Sequence, residues 1–353
     1  MTMRRPCDTF FCMATERPRP VTLLDVANEA GVSVSTASRA LTGARRVRGD
    51  LEERVRSAVE SLGYHPNEAA RGLRMARTMT LGVFFHELNS PVSLDLIDGL
   101  GATAHEARYS LAVTSARGDR SLYPALFQHF YGQRVDGLIL SWPHGNLATY
   151  LAPFIRAGIP AITLRSIPGE PGMPVVSADT SSGFAEAFAA LAGLGHRAIT
   201  LIAHGILWTP PTNRRRNLDR LTEAVGMHIR RRSSRDTGMS LCEIVTSELS
   251  SEEPPTVFLA PFDEVGEVIE SVRATGKRVP EDVSVISFTD SRIRSGAKAE
   301  PLAVIDVDSF ELGRRIAAVT LDAIENGIPA QDVRIPGLAR WVPGATVGPA
   351  PQR

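Results

Sequence analysis

The sequence predicts an α/β protein with a small all-helical head in front of a larger domain built on parallel sheets. Three observations predict it. The stretch Thr22–Leu41 reads as two short helices about a tight turn. From Thr80 onward, short apolar runs alternate with stripes of helical spacing, the pattern of βαβ units whose parallel sheet is covered on both faces. That alternation runs twice, which calls for two sheets, and 353 residues give room for two or three domains.

In the head, Thr22 can cap a first helix, with Asp25 at the third helical position reaching back as a capping box. Leu23, Val26, Ala27 and Ala30 fall on one face of it. Gly31 ends it, where a left-handed residue is needed. Ser33 caps a second helix from Val34 to about Leu41, stopped by Gly43. This helix is too short to be stable alone and exposes small polar residues and Arg39. A helix-turn-helix offers such a helix to the DNA major groove. After a Gly- and Arg-containing loop, Asp50 and Glu53 form a second capping-box pattern. Leu51, Val55, Ala58, Val59 and Leu62 are the stripe of a third helix, closed by Gly63. Asn67, after Pro66, can cap a short helix from Glu68 to about Arg74.

Beyond Thr80, buried strands are predicted at Leu81–Phe85, Leu111–Thr114, Gly137–Leu140 and Ala161–Leu164, with helices at Leu94–Ala107, Leu122–Tyr131 and Leu147–Ala157. The second series places strands near Val175–Ala178, Ala198–Ala203, Thr256–Ala260 and Val283–Phe288. Its helices fall near Phe184–Leu194, Arg214–Val225, Cys242–Glu248 and Val265–Ala274, and a late helix covers Phe310–Ile324. Ligands in such sheets bind beyond the carboxyl ends of the strands.

Composition narrows the function classes. Basic and acidic residues balance at 39 each, which argues against a nucleic-acid coat but leaves room for a small DNA-binding head with its own local field. Arg45, Arg46, Arg48, Arg71, Arg74 and Arg77 supply such a field. Cys7, Cys12 and Cys242 show no metal-ligand spacing, and an odd count argues against a disulfide framework. A reducing cytoplasm is the simplest setting. No apolar run reaches membrane-helix length, and residues 1–20 read as a disordered tail or an over-long start assignment. No phosphate-cradling glycine motif and no nucleophile elbow is visible, so no catalytic residue, metal or cofactor is expected. His196 precedes a strand.

Asp25-Val26-Ala27, Ala30-Gly31-Val32-Ser33, Thr36, Ser38-Arg39 and Gly63-Tyr64-His65-Pro66-Asn67 together resemble the N-terminal signature of lactose-repressor-type (LacI/GalR) transcription regulators. The resemblance is specific up to about residue 83 and looser beyond. It implies a helix-turn-helix DNA-binding domain over 21–66, a hinge helix and linker over 67–78, and a two-lobed, periplasmic-binding-protein-like effector domain over 79–348. Lobe one would hold about 79–178 and 308–330, and lobe two about 179–306 and 331–348, with three strands crossing between them.

The same resemblance implies that Val34, Ser35 and Arg39 read bases, while Thr36 and Ser38 suit phosphate, with Thr22 beside them. It places Asn67, Ala70 and Leu73 on the hinge, Leu73 as a minor-groove wedge. The implied molecule is a homodimer on a pseudo-palindromic operator, probing a small-molecule effector in the cleft between lobes. No tetramerising heptad helix follows Val347.

The effector positions depart from the family. Arg214 matches a family arginine that grips sugar hydroxyls, but Arg165 stands where many members carry Asp. Phe262 stands where Asp is usual, with Asp263 one residue on. Arg117 takes a place often acidic or small and polar. Phe310 matches a cleft-lining aromatic, and Asn89 and Ser90 follow the first strand at another usual contact site, with Val92 making a smaller wall than the usual Phe. Trp142 and Trp208 also follow strands. Exchanging carboxylates for guanidinium groups suits an anionic effector, a sugar acid or sugar phosphate. The competing reading has Arg117 and Arg165 solvated or paired with Asp119 or Asp306. Two other functions stay open at this level: a DNA-binding regulator without effector sensing, and a periplasmic-type solute-binding protein.

Overall fold

The computed structural model describes residues 19, 21–42, 47–64, 77–88, 91–141, 145–164, 173–202, 213–288, 301–329 and 331–352. The chain divides into two units, Met1–Met75 and Ala76–Arg353.

The first unit is helical. Its elements are α1 (Leu23–Ala30), α2 (Val34–Thr42) and α3 (Gly49–Leu62). Their apolar stripes meet in one small core of Val26, Ala27, Ala30, Ala37, Val55, Ala58 and Tyr64. The capping box expected at Asp50 and Glu53 is not formed. Helix α3 begins one residue before Asp50, with Arg48 at the cap and no side-chain cap bond. Asp50 lies instead in the first turn, where a carboxylate meets the positive helix end and pairs with Arg48 at 3.3 Å. Glu53 pairs with Arg56. Gly63 closes the helix at φ 59°.

The second unit opens with β1 (Thr80–Phe85), α4 (Pro91–Glu106), β2 (Ser110–Ser115), α5 (Tyr123–Gly132), β3 (Gly137–Ser141), α6 (Ala148–Arg156) and β4 (Ala161–Thr163). The strands make a parallel sheet in the order β2-β1-β3-β4. Val83, Phe85 and Ile139 face one core with Leu96 and Leu100 of α4. Phe84, Leu138 and Leu140 face the other, with Phe127 and Phe130 of α5 and Phe154 of α6.

The chain continues through β5 (Val176–Ala178), α7 (Ser181–Gly193), β6 (Ala198–Ile202), α8 (Asn213–Ala224), β7 (His228–Arg232), α9 (Ser234–Thr237), α10 (Leu241–Leu249), β8 (Val257–Pro261), α11 (Phe262–Ala274) and β9 (Ser284–Phe288). It ends with β10 (Ala303–Val307), α12 (Ser309–Asn326), β11 (Val333–Ile335) and β12 (Ala339–Val342). The second sheet runs β12-β10-β9-β8-β6-β7. Phe184, Phe188 and Leu218 from α7 and α8 cover one face; Ile244, Val245 and Val268 from α10 and α11 cover the other.

Several expectations change. Val175–Ala178 does not open the second sheet: β5 pairs in parallel with β11, and Val176 and Ile335 belong to the first lobe's core. The final return to lobe two therefore comes at β12, not at residue 331. Strand β12 is antiparallel to β10, so that sheet is mixed at its edge. Strand β7 was invisible because His228-Ile-Arg-Arg-Arg232 carries no apolar alternation. It sits at a sheet edge, where charge discourages pairing with foreign strands. Arg232 reaches the buried Glu248 at 2.7 Å, and Glu248 also accepts from the Thr200 hydroxyl at 2.8 Å. Strand β10 is wholly buried but is broken in sequence by Asp306, whose charge is met by Arg340 at 3.0 Å.

Two contacts join distant parts of the chain. Helix α12 returns to lobe one and crosses α4 with backbone against backbone. A Cβ on Gly313 would lie 2.3 Å from the Leu96 carbonyl, and one on Gly99 would lie 1.9 Å from the Phe310 carbonyl. His196, fully buried, bonds Thr256 Oγ1 through Nδ1 at 2.9 Å and the Gly348 carbonyl through Nε2 at 2.9 Å. It thereby ties the start of β6 to the C-terminal segment, a structural role.

Gly313→Ala forces α12 off α4 and is expected to cost about 1–3 kcal/mol, the usual range for overpacking, read from the midpoint of urea unfolding. Burial, more than any other cause, holds the His196 ring below its ordinary pKa, the Gly348 carbonyl opposing. Below about pH 6.5 the unfolded chain takes a proton that the folded ring refuses, so stability falls as pH drops through that value and is unaffected above it. His196→Gln is expected to flatten the loss of stability between about pH 7 and 5.5; an unchanged slope would refute this.

Candidate nucleic-acid interface and ligand cleft

The head is set by its caps. Asp25 Oδ2 accepts from the Thr22 N–H at 2.8 Å and from its hydroxyl at 2.6 Å. These bonds, the hydroxyl's first, hold the Asp25 carboxyl below its ordinary pKa. The Thr22 hydroxyl is thus engaged within the capping box. Gly31, at φ 61°, turns the chain, and a Cβ there would meet the Arg54 guanidinium at 2.5 Å. Arg54 donates to the Gly31 carbonyl at 3.4 Å, a brace on the turn with no signature in the sequence spacing.

Ser33 Oγ accepts from the Thr36 N–H at 3.2 Å and sits 2.9 Å from Ser35 Oγ and 2.8 Å from Thr36 Oγ1. Ala37 is fully buried and pins α2 to the core. The opposite face, at helical spacing, presents Val34, Ser35, Ser38 and Arg39. Val34 is 41 % exposed, Ser35 and Arg39 are exposed, and Thr36 and Ser38 are half-buried. Arg39 Nε donates to the Ser35 carbonyl at 3.1 Å, which lays the guanidinium along the helix surface. An exposed apolar side chain, paired hydroxyls and one guanidinium can read a thymine methyl, phosphate oxygens and a guanine edge, respectively. Asn67, Ala70 and Leu73 lie outside the described residues.

At the carboxyl ends of β1 and β2, Glu87, Leu88, Ser115 and Arg117 line a cavity of about 310 Å³. Arg117 is exposed and takes a left-handed backbone at φ 51°, and its N–H donates to Ser115 Oγ at 3.2 Å. Gly118, at φ 79°, lets Glu87 close in: a Cβ there would lie 2.5 Å from Glu87 Oε1. Glu87 is the residue that motif reading missed; its only sequence signal was its place just past a strand. Asp119 accepts from the Ser121 N–H at 2.8 Å, and its carboxyl is held low first by the Ser121 side chain. Phe262 and Phe310 are half-buried at the first turns of α11 and α12, after the carboxyl ends of β8 and β10. Asn89, Ser90, Arg165, Trp142 and Trp208 lie outside the described residues, as do the side chains of Arg214 and Asp263. Asp306, offered as a partner for Arg117 or Arg165, pairs with Arg340.

Among the described residues, no helix is long and apolar enough to cross a membrane.

A head that exposes one face of a short capped helix, followed by an α/β domain with two main sheets and an open cleft at strand carboxyl ends, is the arrangement of a ligand-regulated DNA-binding protein. Comparison with known proteins agrees. Residues 22–67 match the family described as bacterial regulatory proteins, lacI family, and residues 188–347 match the periplasmic binding protein-like domain. The head is thus similar to that of the lacI family of bacterial regulatory proteins. It is 28 % identical to the HTH-type transcriptional regulator CelR of Thermobifida fusca over 91 % of this chain and 96 % of that one. It is 26 % identical to catabolite control protein A of Priestia megaterium over 81 % and 87 %. A lac repressor dimer bound to operator and an anti-inducer shares the fold, with a TM-score of 0.76, 23 % identity and coverage of 94 % of this chain and all of that one. A CelR–cellobiose complex matches with a TM-score of 0.62, 24 % identity and coverage of 92 % and 99 %.

Proposed function

We propose that the chain is a transcriptional repressor that binds a pseudo-palindromic operator as a homodimer, one half-site per head, under the control of a small molecule held at the strand carboxyl ends. The observation that carries this reading is the α2 face: Val34, Ser35 and Arg39 stand exposed on a helix fixed by the Ser33 cap and the buried Ala37, within a segment that matches the lacI-family head. The effector lies in the second unit, and its binding changes operator affinity by a factor that the operator returns to it in kind. The chain acts in the cytoplasm, where operator DNA is, and does its work by binding rather than catalysis.

The effector is an anionic sugar derivative. Relatives of this fold include one complexed with cellobiose and one with bound ribose. Here Arg117 offers a guanidinium to carboxylate or phosphate, while Glu87 beside it can accept from sugar hydroxyls. Arg165 and Arg214 would add to the same charge.

Arg39→Ala is expected to cost roughly 1–3 kcal/mol of discrimination between operator and random duplex, with most non-specific affinity retained; an unchanged specificity ratio at fixed salt would overturn the assignment. In thermal-shift screening, sugar acids and sugar phosphates are expected to raise the melting temperature by mass action, and Arg117→Ala to weaken that rise. Stabilisation by neutral sugars alone would refute an anionic effector.

A further inference from the structure

Residues 77–79, at the end of the linker, are held in place by several bonds to lobe one. Asp136, just before β3, turns its carboxylate onto two consecutive amides: Oδ1 accepts from the Thr78 N–H at 2.9 Å and Oδ2 from the Met79 N–H at 2.8 Å. The Thr78 hydroxyl donates to the Arg134 carbonyl at 2.8 Å. Met79 is held at φ 53°, a left-handed conformation that a non-glycine residue keeps only when its surroundings impose it. One residue earlier, Arg77 Nη2 donates to the Ile324 carbonyl at 3.4 Å, and Nη1 lies 3.8 Å from Glu325. Both partners are in the last turn of α12, whose negative end suits a cation. The buried Tyr109 phenol lies close to the Arg77 guanidinium. Three neighbouring residues are thus tied to the entrances of β2 and β3 and to the far end of a helix of 18 residues, about 27 Å long. The opposite end of that helix begins at Asp308–Phe310, among the candidate effector residues.

We propose that Asp136 and Arg77 are positioning residues for DNA binding. Together with Tyr109 and the end of α12 they form a clamp that welds residues 77–79 to lobe one, so that the linker leaves from a fixed base. Without that base, movement of the lobe would be lost in the linker before it reached the DNA-binding head. The proposal rests on the regulator reading above.

The test uses the full chain and two duplexes: one selected from a random pool by the wild-type protein, and one unselected. Asp136→Asn sets an amide N–H₂ against one of the two backbone donors; Arg77→Met keeps the stem and removes the donors. In both variants, hydrogen exchange at residues 77–79 is expected to quicken, and affinity for the selected duplex to fall about tenfold or more, the scale of losing hydrogen bonds to a charged group. Affinity for the unselected duplex stays as in wild type. Arg77→Met carries the test if Asp136→Asn fails to fold. Faster exchange with undiminished selective binding would overturn the proposal and leave a purely structural contact; unchanged exchange would overturn it as well. If the wild-type chain enriches no duplex, the regulator reading itself fails, which the exchange data distinguish from failure of the clamp.

Discussion

Lobe one depends on a helix contributed from late in the chain. Helix α12 covers the first sheet only because Gly99 and Gly313 let it meet α4 at backbone distance. Side chains at either position would hold the two helices apart and open the apolar layer that Leu96, Leu100, Ile316 and Ala317 fill between them. Interiors are packed tightly enough that such a gap is not absorbed elsewhere. Because α12 follows β10 of the second sheet, the same contact obliges the chain to cross between lobes, and the two lobes form one unit. Strands β5 and β11 repeat the arrangement, pairing segments more than 150 residues apart on the side of lobe one.

That interleaving bears on function. A residue at the carboxyl end of β1 or β2, such as Glu87 or Arg117, belongs to the early part of the chain. Phe262 and Phe310 follow strands of the second sheet. Candidate effector groups are thus drawn from both sheets, while residues 77–79 are bonded to lobe one. The head is simpler. Among the described residues its buried core is six Ala and Val side chains and Tyr64, and its reading face is held by caps and a turn rather than by bulk.

Much of this was legible in the sequence because local physics decides it. The capping box of Thr22 and Asp25, the left-handed Gly31, the Ser33 cap and the apolar stripes of α1 to α3 each depend on residues within a turn or two of one another. The alternating runs after Thr80 gave the early strands and helices of lobe one to within a few residues, since fully buried parallel strands read as unbroken apolar runs. The Asp50 capping box failed on local grounds as well: a helix start shifted by one residue turns a cap into a first-turn carboxylate.

By itself, then, the sequence determined the helix-turn-helix head, the α/β class and the two main sheets. Tertiary structure alone decided which lobe owned β11, that β12 runs antiparallel, and that His228–Arg232 is a strand at all. Its arginines are accommodated only because Glu248 and Asp219 stand across from them. It alone set Glu87 against Gly118 and brought Asp136 onto the amides of Thr78 and Met79. The physical reason is the same in each case: periodicity and capping record how a segment satisfies itself, whereas a charge or an edge strand is satisfied by a partner far along the chain, whose position no local pattern encodes.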